Sequence, residues 1–126
     1  MLLGDTFVFK SGSDKFHLWV VISDPLINSD DVLLVNLTTV RGVKFEDLSC
    51  VFDAGEHEWI IAKSYVGFSY ARVYSNAHLD RLHNGTTVRV YDPFPLHLIR
   101  RIHDGVAVTL NLELGYLDLL RDQGFV

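Results

Sequence analysis

The chain has 126 residues, 48% of them hydrophobic, 12% aromatic and 21% charged, and a formal net charge of −5. That length supports one hydrophobic core rather than two, and the composition excludes a disordered chain. The acidic balance excludes a broad basic surface for nucleic acid, leaving at most a local patch from Arg72, Arg81, Arg89, Arg100 and Arg101.

The opening Met1-Leu2-Leu3-Gly4-Asp5 has neither the basic nor the apolar part of a secretion signal. The longest apolar runs, such as 18–22 and 32–35, fall far short of the roughly 20 residues of a membrane helix. The single cysteine, Cys50, has no intrachain partner for a disulfide, which suits a reducing compartment. A cytoplasmic, non-membrane protein is expected.

Gly4-Asp5 is a turn signal before Thr6-Phe7-Val8-Phe9-Lys10, a β-branched and aromatic run that reads as the first strand. Ser11-Gly12-Ser13-Asp14 breaks it. A second strand over 18–23 is apolar on both faces and is stopped by Asp24-Pro25; a third over 32–37 follows Asn28-Ser29-Asp30-Asp31. These two are expected at the centre of the core. Thr38 and Thr39 end the third strand, and a polar connection through Arg41-Gly42 and Glu46-Asp47 leads to Cys50-Val51-Phe52.

Asp53-Ala54-Gly55-Glu56 reads as a tight turn and 58–62 as the strand returning from it, so that Cys50 and His57 bracket one hairpin. Ser64-Tyr65-Val66 and the aromatic run 68–74 add extended structure, 77–82 a short helix, and 86–91 the last strand. The period changes after Pro95: Leu96, Ile99, Ile102 and His103 fall at helical spacing, with Gly105 near the exit. A second helix over 112–122 carries Leu114, Leu117, Leu119 and Leu120 and ends at Gly124. The pattern predicts one mainly β domain over 1–126: a small antiparallel barrel over about 4–91, then a helical part over about 95–123. An open α+β sheet is the competing architecture.

Few residues suit chemistry. His17 stands just before the second strand, where an imidazole at a strand mouth titrates near neutrality, although a surface histidine satisfies the same pattern. Asn36 and Thr38 share a strand face; the amide braces a loop or meets a ligand, and the hydroxyl donates to a phosphate oxygen or caps a turn. Cys50 and His57 invite a thiol-nucleophile or zinc reading. The Val-Phe neighbourhood raises a thiol pKa, and no Cys-x-x-Cys or His-x-x-x-His pair completes a metal site, so a buried structural cysteine is preferred and no metal or cofactor is expected. His57-Glu58 and Ser64-Tyr65 flank the predicted strand 58–62, placing an imidazole, a hydroxyl and a phenol near one another if the hairpin returns toward His17. Two histidines on opposite sides of a phosphodiester can serve as general base on a ribose 2′-OH and general acid on the leaving 5′-oxygen. Tyr65, Phe68, Tyr70 and Tyr74 read as strand residues of core and surface, and His78, His83, His97 and His103 as surface or helix-packing residues.

The order Gly4-Asp5, Trp19-Val20-Val21-Ile22, Val32-Leu33-Leu34-Val35-Asn36-Leu37-Thr38-Thr39, then a hairpin leading into Ser64-Tyr65, resembles the PemK/MazF-like toxins of bacterial type II toxin–antitoxin modules. The resemblance spans roughly residues 4–75 and rests on short motifs. It implies an SH3-like barrel with a C-terminal helix, a homodimer, metal-independent cleavage of single-stranded RNA, and inhibition by an antitoxin protein. The family commonly carries an arginine just before the second strand, used with a threonine after the third. Leu18-Trp19 occupy that stretch here, so His17 is the nearest substitute and Thr38 or Thr39 the matching threonine. The expected site is His17 and His57 for proton transfer, with Thr38 and Ser64 positioning phosphate. The alternative is a non-catalytic barrel of a phage or mobile element that binds a protein partner through its aromatic face; a Cys50/His57 thiol enzyme ranks third, for want of an oxyanion hole.

Overall fold

The computed structural model describes residues 1–10, 16–27, 31–85 and 88–126. Its strands are β1 (Thr6–Lys10), β2 (Phe16–Val21), β3 (Asp31–Thr39), β4 (Val51–Phe52), β5 (Ser64–Ser75) and β6 (Arg89–Tyr91). The helices are α1 (Asn76–Asn84), α2 (Leu96–Val106) and α3 (Leu114–Asp122). The strands form one antiparallel sheet in the order β4-β5-β3-β2-β1-β6, curled into a half-barrel with two helices C-terminal to it. The expected break after β1 and most of the connection before β3 lie outside the described residues.

β2 and β3 are central, and their continuous apolar character follows from the sheet being covered on both faces. Side chains alternate across a strand. Leu18, Val20, Leu33, Val35 and Leu37 therefore point inward, against Leu98, Ile99, Ile102 and Val106 of α2 and Leu120 of α3. Trp19, Val21, Val32 and Leu34 point the other way, packing with Phe7, Phe9, Val88 and Leu79 of α1. α1 starts where Ser75 accepts the His78 N–H at 3.1 Å, a side-chain N-cap. After α3, the Phe125 N–H bonds the Leu120 carbonyl and the Gly124 N–H that of Arg121, with Gly124 at φ 80°: a Schellman close.

Two expected features take a different form. The segments 64–66 and 68–74 are one long strand, β5, with an irregularity: Leu34 pairs with Arg72 but Asn36 with Gly67, so two steps along β3 span five along β5. This bends β5 and turns its first residues toward β4. Residues 58–62 are not a strand. β4 pairs directly with β5 through Val51–Tyr65 and Phe52–Ser64, so no partner edge is left for them. Instead the Gly55 N–H bonds the Ile60 carbonyl and the Ile60 N–H that of His57, and this double turn drops Ile60 into the core.

β4 and β6 are the ends of the sheet, and the turn after β4 bridges them. His57 Nε2 donates to the Asp92 carbonyl at 2.5 Å, Glu58 Oε1 accepts the Asp92 N–H at 2.8 Å, and the Trp59 and Tyr91 rings lie 5.2 Å apart. Gly105 is the penultimate residue of α2, close to its exit as expected. A Cβ there would stand 2.8 Å from Cys50 Cβ, so its absence lets α2 close onto the start of β4.

Candidate functional site

A groove of about 690 Å³ opens at the end of the sheet where β2, β3 and β5 meet. Its floor follows from strand register. Leu18 pairs with Leu37, so His17, one residue out, lies beside Thr38, and Thr38 pairs in turn with Tyr65. The three share the sheet face opposite Leu18, Leu37 and Val66, which point into the core. His17, Thr38 and Tyr65 thus form a row across three adjacent strands, with Ser64 at its border.

Hydrogen bonds define what each group offers. His17 Nδ1 lies 3.3 Å from the Leu37 carbonyl, which only accepts, so in the neutral ring Nδ1 carries the proton and Nε2 keeps its lone pair. Ser64 is buried and its hydroxyl donates to the Ala62 carbonyl at 2.9 Å, bracing the turn before β5. The Tyr65 phenol is pushed up by burial and by the negative charge of Glu46, while hydrogen bonding with Thr38 pulls the other way; the group stays a proton donor.

The walls come from two loops. One supplies Arg41, Val43 and Glu46, the other Glu58, Trp59, Ile61 and Ala62, with Phe16 completing the apolar lining. Glu46 accepts three consecutive backbone N–H groups, those of Arg41 at 2.7 Å, Gly42 at 2.8 Å and Val43 at 3.2 Å. Gly42, at φ 78°, supplies the left-handed turn that aims them together. The Val40 N–H bonds the Lys63 carbonyl at 2.8 Å and ties this loop to the opposite wall. Among the described residues the Arg41 guanidinium has no ion-pair or hydrogen-bond partner.

Of the four residues expected from the sequence, His17, Thr38 and Ser64 line this groove and His57 does not. His57 is buried, its ring 4.9 Å from that of Phe94. Its Nδ1 accepts the Trp59 N–H at 3.1 Å and its Nε2 donates to Asp92, so both nitrogens are engaged within the fold. Cys50 is also buried, and burial pushes its thiol up to about 12, out of the range of a nucleophile. The arginines expected as a local patch are partly absorbed elsewhere: Arg72 lies over Trp19, Arg89 over Tyr91, and Arg101 over Phe52 and against Glu56. His103 is buried under Phe125, with Nε2 2.7 Å from the Ile22 carbonyl.

Sequence reasoning leaves Arg41, Glu46 and Trp59 out of the site, and it weighs the Tyr65 phenol beside His57 and Ser64 but prefers a plain strand residue. The Arg41-Gly42 step, a cation beside a turn glycine at the end of a polar-tipped strand, is the one local signal pointing to that wall. Among the described residues no three His, Cys, Asp or Glu side chains gather where they could hold a metal ion, and no helix is long and apolar enough to cross a membrane.

Comparison with known proteins finds no matching family model, no significantly similar curated protein and no significantly similar solved structure.

Proposed function

We infer that the groove binds single-stranded RNA and cleaves it without a metal, and that the chain is the toxin of a type II toxin–antitoxin pair, acting as a homodimer and restrained by an antitoxin protein. The observation that carries this reading is the His17–Thr38–Tyr65 row. Neighbouring strands lie ~4.8 Å apart, so the backbones of His17 and Tyr65 stand about 10 Å apart, with Thr38 between them. That spacing admits one phosphodiester.

His17 Nε2 takes the proton of the ribose 2′-OH as its oxygen bonds phosphorus. The P–O5′ bond breaks and the Tyr65 phenol protonates the departing 5′-oxygen, leaving a 2′,3′-cyclic phosphate and a 5′-hydroxyl. Thr38, in the middle of the row, donates to a non-bridging oxygen, and Ser64 holds the strand end that carries Tyr65. Arg41 adds the positive charge that a sequence without the family's arginine otherwise lacks at this groove. The apolar lining of Phe16, Trp59 and Ile61 suits unpaired bases, whose faces stack on such side chains.

A second reading, a non-catalytic barrel docking a protein partner, is favoured by the exposed apolar rim: Phe45 is 95% and Ile61 89% exposed. One experiment separates the two. The intact chain is expressed in a bacterial host beside His17→Ala and Thr38→Ala, and growth and RNA integrity are followed. The nuclease reading expects growth arrest and fragmented RNA from the parent chain only. Intact RNA and normal growth in all three leave the docking reading standing and remove the first.

A further inference from the structure

The groove wall holds an anion site that the protein fills with its own carboxylate. The N–H groups of Arg41, Gly42 and Val43 are successive along the chain and converge on Glu46, whose Oε2 takes the first and whose Oε1 takes the other two. Consecutive backbone N–H groups around a left-handed residue form a concavity that binds anions, phosphate oxygens above all. We propose that this nest is a phosphate site, occupied by Glu46 in the free protein and yielded when a phosphate group enters the groove.

Three observations point past a simple loop brace. First, Glu46 and Arg41 both line the groove, so a phosphate lying there reaches the nest without unfolding the wall. Second, the Arg41 side chain leaves Glu46 to the backbone and has no partner among the described residues, so it is available for a second anion contact. Third, the loop is held independently of Glu46 at its start, through Val40 N–H to the Lys63 carbonyl, so the nest has a fixed edge when the carboxylate leaves.

The competition has a clear sign. Glu46 is tethered five residues from the first N–H it caps and so acts at a high effective concentration. A lone phosphate therefore binds the wild-type chain weakly. A phosphodiester carries the same single charge as the carboxylate, so it displaces Glu46 by gaining Arg41 and by being held through the rest of its molecule in the groove; free phosphate has its extra charge and Arg41 but no such tether. The ligand is a phosphate group, free or within a nucleic-acid strand. Its nucleic-acid source rests on the RNA reading above; the nest does not.

The test follows the amide resonances of Arg41, Gly42 and Val43 in the full chain, wild type and Glu46→Gln, titrated with inorganic phosphate in one arm and with a 2′-O-methyl oligoribonucleotide, which cannot be cleaved, in the other. Glutamine keeps an acceptor oxygen for the loop but loses the charge. Glu46→Gln is expected to bind inorganic phosphate about tenfold more tightly than wild type, because the neutral acceptor makes weaker bonds to the N–H groups. No gain in a folded Glu46→Gln overturns the proposal. A readout independent of the variant is the Glu46 carboxylate carbon of the wild-type chain, which moves together with the three amides at saturating phosphate; amides that stay still there overturn it as well. A response to the oligonucleotide at concentrations where phosphate gives none assigns the site to nucleic acid; a response to phosphate alone assigns it to the free ion. Intact RNA in the growth assay combined with a responding nest removes the nuclease reading and leaves the nest in place.

Discussion

His57 Nε2 donates to the carbonyl oxygen of Asp92 at 2.5 Å, and this bond joins the turn after β4 to the opposite end of the sheet. The same carbonyl accepts Thr6 Oγ1 at 2.7 Å, so β1, the end of β6 and the 57–60 turn meet at one oxygen. The contact sets the position of Glu58, Trp59 and Ile61, which form one wall of the groove. A histidine that suggests acid–base chemistry in the sequence thus acts as the clasp of the half-barrel.

Replacing it should therefore cost stability before it costs chemistry. His57→Ala removes a donor from the Asp92 carbonyl, strands the Trp59 N–H and leaves a space beside Phe94. The Asp92 carbonyl keeps Thr6, so the expected loss is about 1–3 kcal/mol, from the stranded, partly buried Trp59 N–H and a small cavity. His17→Ala, at the groove rather than in the core, should stay within about 0.5 kcal/mol of the parent. Urea unfolding of the two variants checks this; equal stability would assign His57 some role other than closure.

Tyr65→Phe tests the proton donor of the proposed cleavage. The ring keeps its place opposite Thr38, so folding is expected to be unchanged. The rate of RNA cleavage should fall by a factor of about 10²–10⁴, the usual contribution of a positioned acid. Measuring turnover of an oligoribonucleotide ending in an activated phenolate leaving group adds a sharper readout. A good leaving group needs no acid, so the variant should recover most of its deficit on that substrate.

The parts of the molecule that are legible in the sequence are those fixed by burial on a regular period. β2 and β3 show as unbroken apolar runs because α1 covers one face of the sheet and α2 and α3 the other. α2 shows because Ile99, Ile102 and His103 recur at helical spacing and are buried, although Leu96, read with them, is exposed. Trp59-Ile60-Ile61 has the composition of a strand, yet only Ile60 is buried, since β5 had already taken the edge it would need. The neighbours of Thr38 depend on a register that the bend in β5 displaces, and nothing local to Tyr65 announces that it lies opposite Thr38. The Glu46 nest is equally hidden, because backbone N–H groups carry no mark in a sequence.

Gly105→Ala measures how closely α2 lies on β4. Alanine is favoured over glycine in a helix by about 1 kcal/mol. Here its Cβ would sit 2.8 Å from Cys50 Cβ and 3.1 Å from the Ser49 carbonyl oxygen, neither of which is the end of a flexible chain. Overpacking of this kind costs about 1–3 kcal/mol, so a net loss of stability is expected in thermal unfolding. A gain would mean that α2 can lift from the sheet at little cost.

Acid should weaken the fold in two stages with different owners. Burial holds His103 below the ordinary histidine range, against the Ile22 carbonyl bond and the charge of Asp104, which pull it up. A folded-state pKa below the unfolded one means that stability is fully present above the unfolded value, about 6.5, and is lost as pH falls through the lower folded value. Asp47 acts at lower pH. Burial pushes its carboxyl up, but hydrogen bonds from Ser49, Thr109 and Asn111 outweigh it and hold the group below the ordinary range. Its contribution is present above about 4 and disappears as pH falls further, freeing the 47–49 turn from the segment after α2. Urea midpoints between pH 8 and 3 should therefore decline first below about 6.5 and again below about 4. His103→Gln should flatten the first decline while keeping the second, and Asp47→Asn should keep the first and shrink the second, to which Glu56, held low by its hydrogen bond with Arg101, also contributes. If the first decline persists unchanged in His103→Gln, another histidine controls it and the buried ring is not the acid-sensitive element of the core.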